Sequence, residues 1–189
     1  MGRWAWSNRY MVEECRTIDI PFLSRHGYFS GLVSGIIEWM DNTGKITSSI
    51  GIEVSVGNHY PHTNYVKFMY THIYGPTEEK TVMNYRTRLA MTRCNFGGVR
   101  YWFICELKDG GRCCERRVGK LYLPPNSTYF GCRHCHNLTY RSQKEHDKSV
   151  DALLKNPAMM RQLKARIEAG DLKACDLAFR ASAKLRGKV

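Results

Sequence analysis

The sequence predicts an α+β protein: an N-terminal antiparallel β-sheet or small sandwich, then a ribbon of short cysteine-bearing hairpins, then basic helices. Three observations carry that expectation. Apolar residues alternate with polar ones in the first half of the chain. Five of the eight cysteines fall between residues 105 and 135. After Tyr140 the apolar spacing lengthens to that of a helix, with capping residues at the junctions. The expected divisions are an irregular N-terminal arm over 1–16, an antiparallel β domain over 17–98, the ribbon over 99–141 and a basic helical region over 142–189.

In chain order, β character begins at Thr17. "GLVSGIIEWMD" and "KITSSIGIEVSV" are strand-like, and "DNTGK" between them has turn chemistry. From Ile50 to Val56 apolar residues alternate strictly with Gly51, Glu53 and Ser55, the mark of a strand with one buried face. "NYVKFMYTHIYG" and "VMNYRTRLAMTRC" are two more strands, joined around "GPTEEK". Val66, Phe68, Tyr70 and His72 share one face of the first. Gly97-Gly98 marks a joint, and "VRYWFIC" is a strand leading to Cys105. "GKLYLPPNSTYFGC" forms a hairpin that turns at "PPNS". "SQKEHDKSVDALLK" is expected to be helical from a cap at Ser142, with Glu145 completing a capping box. Asn156-Pro157 supplies a cap and a first-turn proline for "PAMMRQLKARIEA", whose apolar stripe is Met159, Met160, Leu163 and Ile167. Gly170-Asp171 stops that helix and caps "LKACDLAFRASAKLR". There Leu172, Cys175 and Phe179 share the apolar face, and Lys173, Arg180 and Lys184 lie opposite.

Composition narrows the function classes. A chain of 189 residues with 43% hydrophobic content can build a core. No apolar run approaches the ~18 residues of a membrane span. The N-terminus lacks the basic region, apolar stretch and small-residue cleavage site of a secretory signal. A cytoplasmic protein with reduced thiols and no membrane partner is expected. The net charge of +12 is uneven: residues 1–98 carry 10 Lys/Arg against 8 Asp/Glu, and residues 99–189 carry 19 against 9. That asymmetry points to an acidic partner, nucleic acid first.

The stretch "CRHCH", residues 132–136, has two chemical readings. Cys-x-x-Cys-His attaches a c-type haem, and Cys-x-x-Cys is half of a four-cysteine zinc site. A haem needs an export route and an axial ligand, and it leaves the upstream cysteines without a task, so no haem is expected. Cys105, Cys114, Cys132 and Cys135 follow one another as Cys-x8-Cys-x17-Cys-x2-Cys, and the second pair and central gap suit a zinc ribbon. Zn²⁺ takes soft, deprotonated ligands at tetrahedral corners, about 2.3 Å from each sulfur. One structural zinc is expected, tying together hairpins with little core of their own. By spacing alone Cys113 competes with Cys114 for one corner, and His134 or His136 can replace a cysteine. Cys15, Cys94 and Cys175 stand apart and are expected to be inert thiols.

The stretch "NFGGVRYWFIC…GRCCERRVGKLYLPP…YFGCRHCHNLTYRSQ" resembles a group of uncharacterised bacterial zinc-ribbon proteins often met near mobile elements. Their pattern is roughly FGGxRxWFxC, then CGRRVxKLYLPP, then FxCRxCxxLxYxSQ. The match covers about residues 95–143. The resemblance implies that Cys114 is the second ligand and that Cys113 falls at a variable position. Glu115 stands where the pattern has glycine. A zinc site and a fold follow from the resemblance, but no reaction does.

Around these cysteines Arg116, Arg117, Lys120, Arg133 and Arg141 are interleaved with Tyr101, Trp102, Tyr122, Tyr129, Phe130 and Tyr140. Guanidinium forks suit phosphates, and flat rings stack on bases. These five cations are therefore the expected phosphate contacts of a protein that binds DNA or RNA, within a mobile-element or defence-related nucleoprotein complex. The alternative is a protein-interaction module, an accessory subunit or an inhibitor, docking on such a complex. Catalysis is not expected. No GxSxG, P-loop or HExxH is present. His134 and Asn137 stand too close together for the separate elements of an HNH nuclease, and no Asp-His pair precedes them. Asp19, Glu38, Asp41 and Glu53 form no recognisable catalytic cluster.

Overall fold

The computed structural model describes residues 9–57, 64–74, 79–109, 111–144 and 146–186. The chain divides into two compact units, Met1–Thr139 and Tyr140–Val189. No helix among the described residues is long and apolar enough to cross a membrane.

The first unit begins with β1 (Arg16–Asp19), which runs directly into α1 (Ile20–Arg25). This helix lies inside the region expected to be wholly β. Asp19 accepts a hydrogen bond from the Phe22 N–H at 2.7 Å, and Pro21 sits in the first turn. An aspartate cap followed by a first-turn proline starts a helix by local chemistry alone. Leu23 then buries fully in the core.

A six-stranded antiparallel sheet follows. Its strands are β2 (Leu32–Met40), β3 (Ile46–Ser55), β4 (Tyr65–Tyr74), β5 (Glu79–Arg93), β6 (Val99–Ile104) and the short β9 (Arg117–Val118), hydrogen-bonded in that spatial order. Two further pairs complete the unit: β7 (Lys108–Asp109) with β8 (Arg112–Cys113), and β1 with β10 (Lys120–Leu123). The period-two pattern of β3 does what it predicts. Ile50, Ile52 and Val54 are buried, and Gly51, Glu53 and Ser55 lie on the more open face. Val66 and Phe68 of β4 are fully buried on the same side. Of the expected "GPTEEK" junction, residues 75–78 lie outside the described residues.

Gly97-Gly98 is a hairpin turn rather than a joint. β5 and β6 on either side of it are paired from Leu89↔Phe103 to Arg93↔Val99. The cysteine-bearing segment is thus built into the sheet through β6 and β9. Packing explains why. Phe103, Leu121 and Phe130 are at most 4% exposed and join one core with Ile52, Val66 and Phe68. A few short hairpins cannot bury such side chains alone. The expected turn at "PPNS" is present, with β10 bridged to Gly131 through Tyr122.

The second unit holds α2 (Arg141–Lys144), α3 (Lys148–Lys155), α4 (Pro157–Glu168) and α5 (Leu172–Arg186). The helix expected from Ser142 is split, because Asp147 caps α3 through the Ser149 and Val150 N–H groups. Glu145 lies outside the described residues. Asn156 and Asp171 cap α4 and α5 as expected. Val150, Leu153, Leu163, Ala174 and Ala181 form the core.

The expected polarity of α5 is reversed. Leu172 and Phe179 are 83% and 67% exposed, and Cys175 is exposed beside them. Two of the three cations turn inward while Lys173 stays exposed: Arg180 pairs with Asp147, and Lys184 pairs with Asp151 at 2.6 Å. Small Ala174 and Ala181 let α5 approach its neighbours closely. Two acids one turn apart on α3 then meet two cations one turn apart on α5.

Candidate metal centre

Four cysteines converge at the end of the sheet. Cys105 directly follows β6, Cys114 directly follows β8, and Cys132 and Cys135 lie in the turn after Gly131. The sulfurs of Cys105, Cys114, Cys132 and Cys135 all lie within 4.8 Å of one another. Sγ of Cys105 is 3.9 Å from that of Cys135, and Sγ of Cys114 is 3.9 Å from that of Cys132. A disulfide needs about 2.05 Å. A tetrahedron with metal–sulfur bonds of about 2.3 Å has edges of about 3.8 Å. The spacing therefore suits four ligands around one ion and is far too long for disulfide bonds.

Two backbone turns set this geometry. In the first, the Cys105 N–H donates to Arg116 O at 3.0 Å, the Glu115 N–H to Cys105 O at 2.8 Å, and the Cys114 N–H to Leu107 O at 2.9 Å. Glu115 takes a left-handed conformation, φ +52°. That is a backbone in which glycine has no steric penalty, at the position where the resembling pattern has glycine. Here the Glu115 carboxylate is also used, accepting from the Arg88 guanidinium at 3.2 Å. Arg88 reaches Glu106 at 2.9 Å as well, so β5 holds both flanks of the turn. Arg88 was not singled out from sequence, because its two partners are 18 and 27 residues away.

In the second turn the His136 N–H donates to Cys132 O at 3.2 Å, and the Leu138 N–H to Arg133 O at 2.9 Å. Asn137 closes it at φ +49°. Amides also point at sulfur: the Cys132 N–H lies 3.3 Å from Cys105 Sγ, and the Cys135 N–H 3.4 Å from Cys132 Sγ. Gly131 is required by close approach. A Cβ there would collide with the Leu107 side chain and come within 2.9 Å of His136 Nε2.

The contest between vicinal cysteines is settled by strand geometry. Neighbouring residues of an extended chain point to opposite faces. Cys114 faces the cluster, and Cys113, paired with Lys108, is exposed. His134 is exposed, and neither His134 nor His136 belongs to the cluster. Burial pushes the His136 imidazole below its ordinary pKa.

The thiols share protons unequally. The interaction with the Cys105 side chain, helped by nearby amides, draws Cys132 down to about 4. The same contact, with burial, pushes Cys105 up. Burial first, and neighbouring thiols second, push Cys135 up to about 12. Four thiolates cannot stand together here without a cation to replace the shared protons.

The predicted phosphate contacts are distributed unevenly. Arg116 and Arg117 are exposed, with no ion-pair partner among the described residues. Lys120 is exposed and lies 3.9 Å from Asp19. Arg133 is half-buried in the second cysteine turn. Arg141 belongs to the helical unit, at the start of α2. Among the aromatics, Tyr101, Tyr122 and Phe130 are buried, and Tyr129 is 47% exposed. Three of the carboxylates weighed for catalysis have structural tasks. Asp19 caps α1, Asp41 accepts the Thr43 and Lys45 N–H groups, and Glu53 accepts the Tyr65 hydroxyl.

Beside the cluster opens a cavity of about 380 Å³, lined by Tyr85, Thr87, Leu107, Tyr129 and Phe130 among others. Its walls come from strands and turns distant in sequence, so no local signal announces it.

Fold and site define an α+β protein with a four-cysteine cluster able to hold one metal ion. Compared with protein-family models, curated proteins and solved structures, the chain matches none.

Proposed function

We propose that the protein is a non-enzymatic nucleic-acid-binding protein whose structure is pinned by one zinc ion at Cys105, Cys114, Cys132 and Cys135. The all-sulfur donor set and the tetrahedral edge lengths support zinc. Four protein sulfurs fill the coordination sphere and leave no corner for water or substrate, which supports a structural role. The observation that carries the nucleic-acid reading is the pair Arg116-Arg117. Both are exposed and without ion-pair partners among the described residues, directly beside the cluster. Lys120 stands nearby on β10, and exposed Tyr129 offers a ring for stacking. DNA or RNA, alone or within a nucleoprotein complex, is the partner this chemistry recognises.

The test is binding of labelled DNA and RNA across a salt series. Phosphate-driven binding weakens steeply with salt, and each lost phosphate contact lowers the log–log slope by about one. The double variant Arg116→Ala/Arg117→Ala should lower it by about two. Absence of binding at low salt sinks the reading. Metal content is measured by native mass, where one zinc per chain is expected.

The outward face of α5, with Leu172 and Phe179 exposed, favours a second reading. In it the chain is an interaction module that docks on a nucleoprotein through an apolar surface, and its binding is insensitive to salt.

A further inference from the structure

The β5–β6 hairpin ends in an exposed phenylalanine. Phe96 has 105% relative exposure, and every residue from 93 to 100 is exposed. The turn is closed by its own backbone, with the Cys94 N–H donating to Gly98 O and the Gly97 N–H to Cys94 O, both at 3.1 Å. Gly97 and Gly98 sit at φ +88° and +78°. The turn therefore needs glycine at those two positions and sets no steric demand at Phe96. No core contact accounts for a large apolar ring held at this apex.

The ribbon behind it is purely cationic. From Lys80 to Cys105 the chain has five Lys/Arg and no Asp or Glu. Arg88 is spent on Glu106 and Glu115, and Arg86 lies over the Tyr65 ring at 4.3 Å. Lys80 pairs with Ile73 at the far end of β5. Near the turn Arg93 and Arg100 remain, both exposed and without an ion pair among the described residues. Their placement follows from register. Thr92 pairs with Arg100, and Arg93 pairs with Val99, so the two arginines lie on opposite faces of the ribbon. Trp102, on the Arg100 face, supports that guanidinium at 5.5 Å and donates its own N–H to Thr92 Oγ1. On the other face, Phe29 stacks on Tyr101 at 4.3 Å and supports the ribbon's base.

We propose that this hairpin is a wedge for duplex DNA: Phe96 inserts between adjacent base pairs while Arg93 and Arg100 each meet a phosphate of a different strand. The inference rests on the nucleic-acid reading above and extends it to a surface outside the cysteine cluster. Apolar wedges partly unstack a base step at a cost of a few kcal/mol, offset by the contacts the bent duplex then makes. One cation on each face of the ribbon fits two backbones flanking a groove. A lone strand has a single backbone and would leave one arginine unused.

The test uses the full chain and short DNA duplexes carrying 2-aminopurine, whose fluorescence rises on unstacking, with anisotropy of an end label reporting binding independently. Wild-type protein should bind and raise the 2-aminopurine signal. Phe96→Ala should abolish that rise and weaken duplex binding about tenfold, in line with the loss of one stacked base. Phe96→Trp should retain both. Arg93→Ala and Arg100→Ala should each lower the salt slope by about one. Circular dichroism should be unchanged, since Phe96 touches no core residue. If the protein binds duplex but never unstacks it, or if Phe96→Ala behaves as wild type, the wedge is refuted and the nucleic-acid reading stands. A signal rise on single strands with no duplex binding also refutes the wedge. No binding to any nucleic acid refutes both.

Discussion

Replacing one of two adjacent cysteines tests the cluster most directly. Cys114 contributes one of four converging sulfurs, and Cys113 is exposed on the opposite face of the same short segment. Structural zinc sites in small domains have apparent binding free energies of roughly 10–16 kcal/mol. An equal share for one thiolate is roughly 2.5–4 kcal/mol, or about a hundred- to a thousandfold in affinity. Cys114→Ser should therefore weaken zinc by that factor, because a serine hydroxyl does not ionise at neutral pH. Cys113→Ser should leave affinity unchanged. The assay is competition against a chromophoric zinc chelator at fixed pH, read as the chelator concentration that removes half the metal. Equal losses in the two variants would refute the assignment of the corner. Unchanged affinity in Cys114→Ser would refute the four-sulfur site itself.

Two further outcomes follow from the same structure. Gly131→Ala places a Cβ against Leu107 and His136, an overpacking that should cost about 1–3 kcal/mol; Gly57→Ala, with open space around it, is the control, and thermal unfolding compares them. In the helical unit, the hydrogen bond from Lys184 is the first cause holding Asp151 below its ordinary pKa of 3.8. A depressed carboxylate adds stability that is present above its unfolded value and lost as pH falls through its folded value. Hydrogen exchange of α3 and α5 amides should accordingly accelerate below about pH 3.8, and Lys184→Met should flatten that dependence; a flat wild-type profile would remove the pair from the account.

How far the sequence foretells this fold depends on how local each cause is. The alternation at Ile50, Ile52 and Val54 is a local pattern, and it placed β3 and its buried face correctly. The cap signals at Asn156-Pro157 and Gly170-Asp171 are also local, and they placed α4 and α5. Asp19-Ile20-Pro21 carries the same kind of signal within a β-rich stretch, and α1 forms there because the cap outweighs the surrounding pattern. The four cysteines could be grouped by spacing; spacing left Cys113 and Cys114 both open, the resemblance pointed to Cys114, and the backbone supplies the physical reason. The reversal of α5 was not legible. Its sequence shows an apolar stripe at Leu172, Cys175 and Phe179, and what turns that stripe outward is the match of Arg180 and Lys184 to Asp147 and Asp151, 33 residues upstream. Pairings of that kind are set by helix packing, while the cavity beside the cluster and the Arg88 bridge are set by strands and turns that lie far apart in sequence.

The cysteine cluster and the sheet meet at a weak point. β9 is joined to β6 by two residue pairs, Phe103↔Val118 and Ile104↔Arg117. Two pairs alone are marginal in water. The ladder continues only through the first cysteine turn, where Cys105 and Arg116, then Glu115 and Cys105, are hydrogen-bonded. A zinc ion on Cys105 and Cys114 would close that turn and so hold β9, and with it Arg116 and Arg117, in place. By contrast β4 and β5 are paired over ten residues, from Tyr65↔Arg88 to Tyr74↔Glu79. Chelation should therefore speed amide exchange over residues 105–118 while β4 and β5 stay protected, and nucleic-acid affinity should fall without loss of the sheet. If chelation instead unfolds β4 and β5 in step with residues 105–118, the cluster supports the whole sheet, and the local coupling argued from β9 is wrong.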